Sequence, residues 1–345
     1  MTQKLKIAVQ GGNGRVGNVV AHTLAPFYDV LREDMICFKS PMETPGFTAP
    51  EECLIAVPPE HCFAVINCAP YHTSGRLAAE AIERGVHYLD LTEDVQVAKT
   101  LAAMADGAKS AVIPQCGLAP GVVSILAGSF AKKYDKVHTL KLRVGGLPRH
   151  PTNMLGYALT WNAEGLVNQY RNPATALRNQ ELVQVAALDD VEELRYDTGT
   201  YEAFNTSGGV GTLCDSFPNA INIDYKTIRY PGHAKLVKFL MHEMGLNPVE
   251  MKDLFERAIP STDQDVVIIQ VTGIGWRNGR LEQATYSKEV FGVPGRSALQ
   301  MTTAHSVCAV LDMLADGTLN RTGFVKQEEI PLEGFMKNRF GKAFA

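Results

Sequence analysis

From Lys4 to Val9 a short apolar run leads into Gly11-Gly12-Asn13-Gly14-Arg15-Val16-Gly17. Beyond it Val16, Val19, Val20, Thr23, Leu24 and Phe27 recur at helical spacing, the pattern of a strand, a tight turn and an amphipathic helix. Ala64–Cys68 and His87–Leu91 read as further strands, separated by a helical stripe of Leu77, Ala78, Ala81 and Ile82 that Gly85 can end in a left-handed conformation. Ala111-Val112-Ile113-Pro114 reads as a fourth. Strands alternating with helices at these intervals predict βαβ units and a parallel sheet with right-handed crossovers, a Rossmann arrangement. After about residue 120 the texture changes. Leu140, Leu142 and Val144 alternate with polar residues, as do parts of Asn222–Arg229 and Arg280–Phe291, which predicts a second, α+β domain with a largely antiparallel or mixed sheet. Ser297 with Gln300 three residues on is a capping-box signature. The stripe Ala304, Val307, Cys308, Leu311, Leu314 then predicts a helix ending at Gly317 and returning to the first domain. The expected fold class is therefore α/β, with residues 1–120 completed by 297–345 and an intervening domain over 121–296.

Composition narrows the function. A chain of 345 residues, 46% hydrophobic and 20% charged, has the make-up of an ordinary globular protein of about two domains. A net charge of −4 offers no basic field for a phosphate backbone, so nucleic acid is not an expected partner. No apolar run reaches membrane-spanning length and the N-terminal one is too short for a signal peptide, so a cytosolic chain without a membrane partner is expected. The seven cysteines are scattered and never spaced C-x-x-C, indicating neither a disulfide framework nor a metal site; they read mostly as small buried apolar residues, Cys116 among them.

The chemistry concentrates in three places. Gly12, Gly14 and Gly17 form G-x-G-x-x-G between strand and helix, where glycines admit the tight turn and the helix N-terminus receives a pyrophosphate; Asn13, Arg15 and Val16 complete this loop. Asp34, 17 residues beyond Gly17 at the expected end of the second strand, is placed to accept the adenosine ribose hydroxyls and to repel a 2′-phosphate, favouring NAD over NADP. Asn67-Cys68-Ala69-Pro70-Tyr71-His72 and Asp90-Leu91-Thr92-Glu93-Asp94 fall at the C-terminal ends of parallel strands, where ligands bind in such sheets; Asn67, Cys68, Ala69, Asp90 and Thr92 should border the nicotinamide. Thr92 could also cap a helix with the two acids in its first turn. In the second domain Lys226-Thr227-Ile228-Arg229-Tyr230-Pro231-Gly232-His233 leaves a strand through a Pro-Gly turn, and Arg229 suits bidentate binding of a carboxylate.

These segments, with Gly117-Leu118-Ala119-Pro120-Gly121, Gly145-Gly146-Leu147-Pro148 and Glu202-Ala203-Phe204-Asn205-Thr206, resemble the saccharopine dehydrogenase family over nearly the whole chain, and most closely its lysine 6-dehydrogenase branch. Saccharopine reductases of the family commonly carry Asp where this chain has Ala119, which points away from saccharopine. The resemblance implies NAD-dependent oxidation of the ε-amine of L-lysine to the 6-semialdehyde and ammonia, the aldehyde cyclising to a piperideine carboxylate. Alternatives are a saccharopine dehydrogenase, a carboxynorspermidine-type reductase, or a non-catalytic NAD-binding regulator. It also implies a homodimer or higher homo-oligomer. Any such oxidation needs a base for the ammonium proton, with Glu93, Asp94, His72 and His233 as candidates. The substrate carboxylate needs a cation, Arg229 first and Arg143 second, and Lys226, Asn205 and Tyr71 complete the expected substrate contacts.

Overall fold

The computed structural model describes residues 4–34 and 61–345, together with the backbone of residues 36–37 and 53–54. The chain begins β1 (Lys6–Gln10), α1 (Arg15–Leu24), β2 (Asp29–Glu33), followed by a short antiparallel pair, β3 (Ile36–Cys37) and β4 (Cys53–Leu54). It continues β5 (Ala64–Asn67), α2 (Ser74–Glu83), β6 (His87–Asp90), α3 (Val95–Met104) and β7 (Ala111–Ile113). These strands pair in parallel in the order β2-β1-β5-β6-β7, the Rossmann topology expected from the alternation. Every residue of β5 and β7 is buried, as strands covered on both faces require, and apart from Asn67 at the end of β5 they are apolar. Gly85, with φ +66°, follows α2 as anticipated.

The second sheet is built from β8 (Lys136–Pro148), β9 (Ala174–Arg178), β10 (Glu181–Val185), β11 (Glu192–Tyr196), β12 (Gly199–Asn205), β13 (Asn222–Arg229), β14 (Asp265–Arg277) and β15 (Arg280–Phe291). Its main path runs β10-β9-β13-β8-β14-β15, with the β11/β12 hairpin joined to β13. Only the β8/β13 pair is parallel. One face carries Leu140, Leu142, Val144, Val267, Ile269 and Val271 against α4 (Val122–Ala131) and α9 (Ala298–Ala315). Gly145 sits where β13 passes so close that a Cβ would lie 2.5 Å from the Ile228 carbonyl oxygen, which explains a glycine in mid-strand. A separate core joins α5 (Ala163–Arg171) to α8 (Pro248–Ala258) through Leu166, Tyr170, Phe204 and Phe255; α6 (Leu213–Ser216) and α7 (His233–Lys238) are short connectors.

The end of the chain returns to the first sheet. Along α9, Val307, Cys308 and Leu311 share a core with Val19, Val20 and Leu24 of α1. Beyond α9, β16 (Gly323–Phe324) adds a sixth parallel strand beside β7, which the apolar pattern did not reveal because the strand is two residues long; α10 (Leu332–Lys337) follows. The capping box expected at Ser297 forms only in half. Ser297 Oγ accepts the Gln300 amide at 3.1 Å, but the Gln300 side chain does not return to the cap and donates to Thr160 O at 3.4 Å.

Candidate active site

The loop after β1 is pinned to β2, since the Gly11 and Gly12 amides both donate to Glu33 O, at 2.7 and 3.2 Å. A Cβ on Gly17 would stand 2.1 Å from Gly11 O, so the helix can lie this close to the loop only with glycine there. Gly14 caps α1 and the first turn holds no acid, so among the described residues its amides have no side-chain acceptor. Asp34 stands beside the loop, where the Asn13 side chain donates to its carboxylate. An uncapped, glycine-walled helix N-terminus with an acid beside it fits a dinucleotide. Arg15, by contrast, turns away from the loop and donates to Leu159 O at 2.9 Å, linking α1 to the other half of the molecule.

At the ends of β5 and β6 two buried polar side chains set the loops. Asn67 accepts the Ala69 amide at 3.0 Å and donates to the Thr73 and Ser74 hydroxyls, fixing the turn that carries Cys68 and Ala69. Asp90 accepts the Thr92 and Gln115 amides, at 3.0 and 3.1 Å, and the Tyr88 hydroxyl; burial pushes its carboxyl up to about 6. Thr92 is not the cap of α3. Its hydroxyl accepts the Asp94 amide, and Asp94 caps the helix by accepting the Val97 amide at 2.8 Å, an engagement that leaves Asp94 poorly suited to be a base. Glu93, between them, lies on a cavity wall, where burial first and the Asp94 charge second push its carboxyl up to about 7.

That cavity, about 1040 Å³, lies between the two sheets, with Cys68, Asp90 and Glu93 on one wall and Tyr157, Tyr225 and Arg229 on the other. Strand alternation selects the second wall. Tyr225, Thr227 and Arg229 face the cavity, whereas Asp224 and Lys226 point to the opposite face of β13. Arg229 is 4% exposed; its Nε donates to Tyr170 OH at 3.2 Å, its Nη1 to Ile228 O at 2.9 Å, and its guanidinium stacks 4.7 Å over the Tyr157 ring. Among the described residues no carboxylate pairs with it.

Several expected site residues are placed elsewhere. Arg143, opposite Lys226 in the β8/β13 register, binds Glu192 and Asp224, so its charge is already neutralised. Lys226 donates to Glu192 at 3.1 Å and to Asp190 O. Asn205 is buried and donates to Ala186 O at 3.4 Å. His72 is exposed on a single 3-10 turn and stays off the cavity wall, whereas its neighbour Tyr71 reaches the rim. His233 is buried between Tyr170 and Leu155 O with both ring nitrogens engaged, and burial together with the Arg229 charge pulls it down to about 3, which disqualifies it as a proton acceptor at the cavity. Cys116 is fully buried, and burial drives its thiol far up, in keeping with its reading as a small apolar residue. Tyr157 and Tyr170 were not foreseen; both come from outside β13 and carry no signal in its pattern. Tyr225 and Thr227 could have been found from their two-residue spacing to Arg229.

Residues 117–339 match the family model described as the saccharopine dehydrogenase C-terminal domain. The chain belongs to this family. A saccharopine dehydrogenase [NADP(+), L-glutamate-forming] of Pyricularia oryzae is 24% identical over 222 residues, 60% of this chain and 48% of that one. The mitochondrial alpha-aminoadipic semialdehyde synthase of Bos taurus is 29% identical over 183 residues, 50% of this chain and 20% of the relative. This family member thus spans about half or less of the length of these relatives. Its fold is that of apo saccharopine dehydrogenase (L-Glu forming) from Saccharomyces cerevisiae, with a TM-score of 0.72 at 15% identity over 96% of this chain and 97% of that one. No described helix is long and apolar enough to cross a membrane.

Proposed function

We propose that this chain oxidises the ε-amine of L-lysine with NAD, releasing ammonia and the 6-semialdehyde. The observation that carries the reading is a buried arginine, Arg229, with no acid partner among the described residues, on the wall of a cavity whose other wall holds Glu93, a carboxyl that burial pushes up to about 7. A buried cation left without a counter-charge is costly, and a substrate carboxylate removes that cost. The uncapped N-terminus of α1 would hold the pyrophosphate and Asp34 the adenosine ribose, where a carboxylate disfavours a 2′-phosphate. Bound nicotinamide would supply the hydride acceptor. Glu93 takes a proton from the ε-ammonium, freeing the nitrogen lone pair; with nicotinamide bound, hydride would then leave the carbon that bears this nitrogen, and the iminium would add water and lose ammonium to give the aldehyde.

A saccharopine-type substrate is the second reading. It is favoured by the saccharopine dehydrogenase name of the Pyricularia relative and by Asn168, Asn172 and Gln184, amides that extend the cavity and would suit a second carboxylate. One assay separates the two. NADH formation at 340 nm from L-lysine, with stoichiometric ammonia and no 2-oxo acid, supports the first; turnover only of saccharopine, whether to L-glutamate and the 6-semialdehyde or to L-lysine and 2-oxoglutarate, overturns it. No NADH from any amine would leave a nucleotide-binding regulator.

A further inference from the structure

Behind Arg229 lies a polar chain that never reaches the cavity. Arg229 Nε meets Tyr170 OH at 3.2 Å, Tyr170 OH meets His233 Nε2 at 2.9 Å, and His233 Nδ1 meets Leu155 O at 2.8 Å. All three side chains are buried, at 4%, 2% and 1% exposure. The proton inventory admits one arrangement. A guanidinium only donates, so the Tyr170 oxygen accepts from Arg229 and gives its own proton to His233 Nε2. That nitrogen is therefore bare, and Nδ1 carries the ring proton to the Leu155 carbonyl, which can only accept. A protonated His233 would present N–H at both ends and reverse the middle bond, so the low affinity of this ring for a proton keeps the chain in one sense. Phe204 stacks on the His233 ring at 9° and Tyr157 closes the other side of the guanidinium, which limits rotation of both ends.

We propose that Tyr170 and His233 are positioning residues that aim the Arg229 guanidinium into the cavity, tying the orientation of the substrate-carboxylate anchor to the backbone of the loop carrying Leu155. The inference rests on the reading of Arg229 as a carboxylate anchor, but not on the oxidation of lysine. Arginine side chains are otherwise free to rotate over many rotamers, and a guanidinium held in direction before the carboxylate arrives is spared the cost of being ordered on binding. Tyr170→Phe keeps the ring and its packing and removes only the relay.

The test uses direct binding of two probes to the full chain in the presence of NAD, followed by calorimetry. L-norleucine carries the α-carboxylate without an ε-amine, and 1,5-diaminopentane carries the amines without a carboxylate. Tyr170→Phe is expected to weaken L-norleucine on the order of tenfold, the loss of one hydrogen bond to a charged group, and to leave 1,5-diaminopentane unchanged. His233→Gln, which keeps an acceptor for the Tyr170 hydroxyl, should retain more L-norleucine affinity than His233→Leu. With L-lysine as substrate, Tyr170→Phe should raise KM by the same factor at unchanged kcat, because the anchor acts equally in ground and transition states. Equal weakening of both probes would make Tyr170 merely structural, and unchanged L-norleucine binding, or none in the wild type, would overturn the proposal. Failure of lysine oxidation alone would overturn the proposed reaction and leave the binding result to stand by itself.

Discussion

Glu93→Gln removes the ionisation while keeping size and polarity, and it separates catalysis from stability. With the carboxyl pushed up to about 7, roughly half of Glu93 is ionised at pH 7, about one-tenth at pH 6 and about nine-tenths at pH 8. If the ionised form is the base, kcat/KM for L-lysine falls about fivefold from pH 7 to pH 6 on this group alone, and approaches tenfold per unit below that. The Gln variant should lose this limb and about 10²- to 10⁴-fold in rate, the usual worth of a positioned base. Stability moves the other way. Because the folded value lies above the ordinary 4.5, the folded chain binds more protons than the unfolded one between about pH 4.5 and 7, and this group's contribution to stability falls as pH rises through that window. The stability of the Gln variant relative to wild type should therefore increase from pH 4.5 to 7 and level off above. The assays are initial rates at 340 nm over pH 5.5–9 and urea melts at matched pH. A Gln variant with wild-type rate, or one that keeps the limb near pH 7, would refute the assignment of the base.

Arg229→Ala should raise KM for L-lysine on the order of 30-fold or more with little change in NAD affinity, measured by steady-state kinetics and by fluorescence titration of NADH. Arg143→Ala takes the paired cation from Asp224 and leaves Glu192 with Lys226 alone, and should cost about 2 kcal/mol in urea melts, the partners being partly exposed, while the KM for L-lysine stays put. Gly17→Ala should abolish folding, since its Cβ would stand 2.1 Å from a backbone oxygen, whereas at Gly14 the nearest atom would be 3.1 Å away and Gly14→Ala should fold; circular dichroism distinguishes them. Asp34→Ala should weaken NAD and narrow its advantage over NADP in paired titrations.

The Rossmann half was legible because its signals are local. A strand, a glycine turn and a helical stripe are contiguous in sequence, and the parallel order follows from the alternation. In the second half, Lys226 and Arg229 stood in one basic cluster, yet three residues along a strand place them on opposite faces, and only Arg229 reaches the cavity. The same parity rule, applied with the β8/β13 register, would have sent Arg143 away with Lys226; the register, however, depends on pairing across about 80 residues and is not written in either strand. His233 looked like a base because its cluster is polar, and what excludes it is burial by Phe204, Tyr170 and Tyr157, residues brought from three other segments.

The return of the chain end to the first sheet has a consequence for how the molecule is made. α9 covers the apolar face of α1, and β16 closes the β7 edge, so the Rossmann half cannot be complete until residue 324 has left the ribosome. Until α9 and β16 are made, Val19, Val20 and Leu24 lack part of their cover, and the β7 edge offers unpaired amides to any passing strand. The second sheet, uninterrupted in sequence, can assemble first and hold α4 in place. The second sheet is thus assembled before the Rossmann half around it, and the β1–α1 unit is among the last of the described elements to become native.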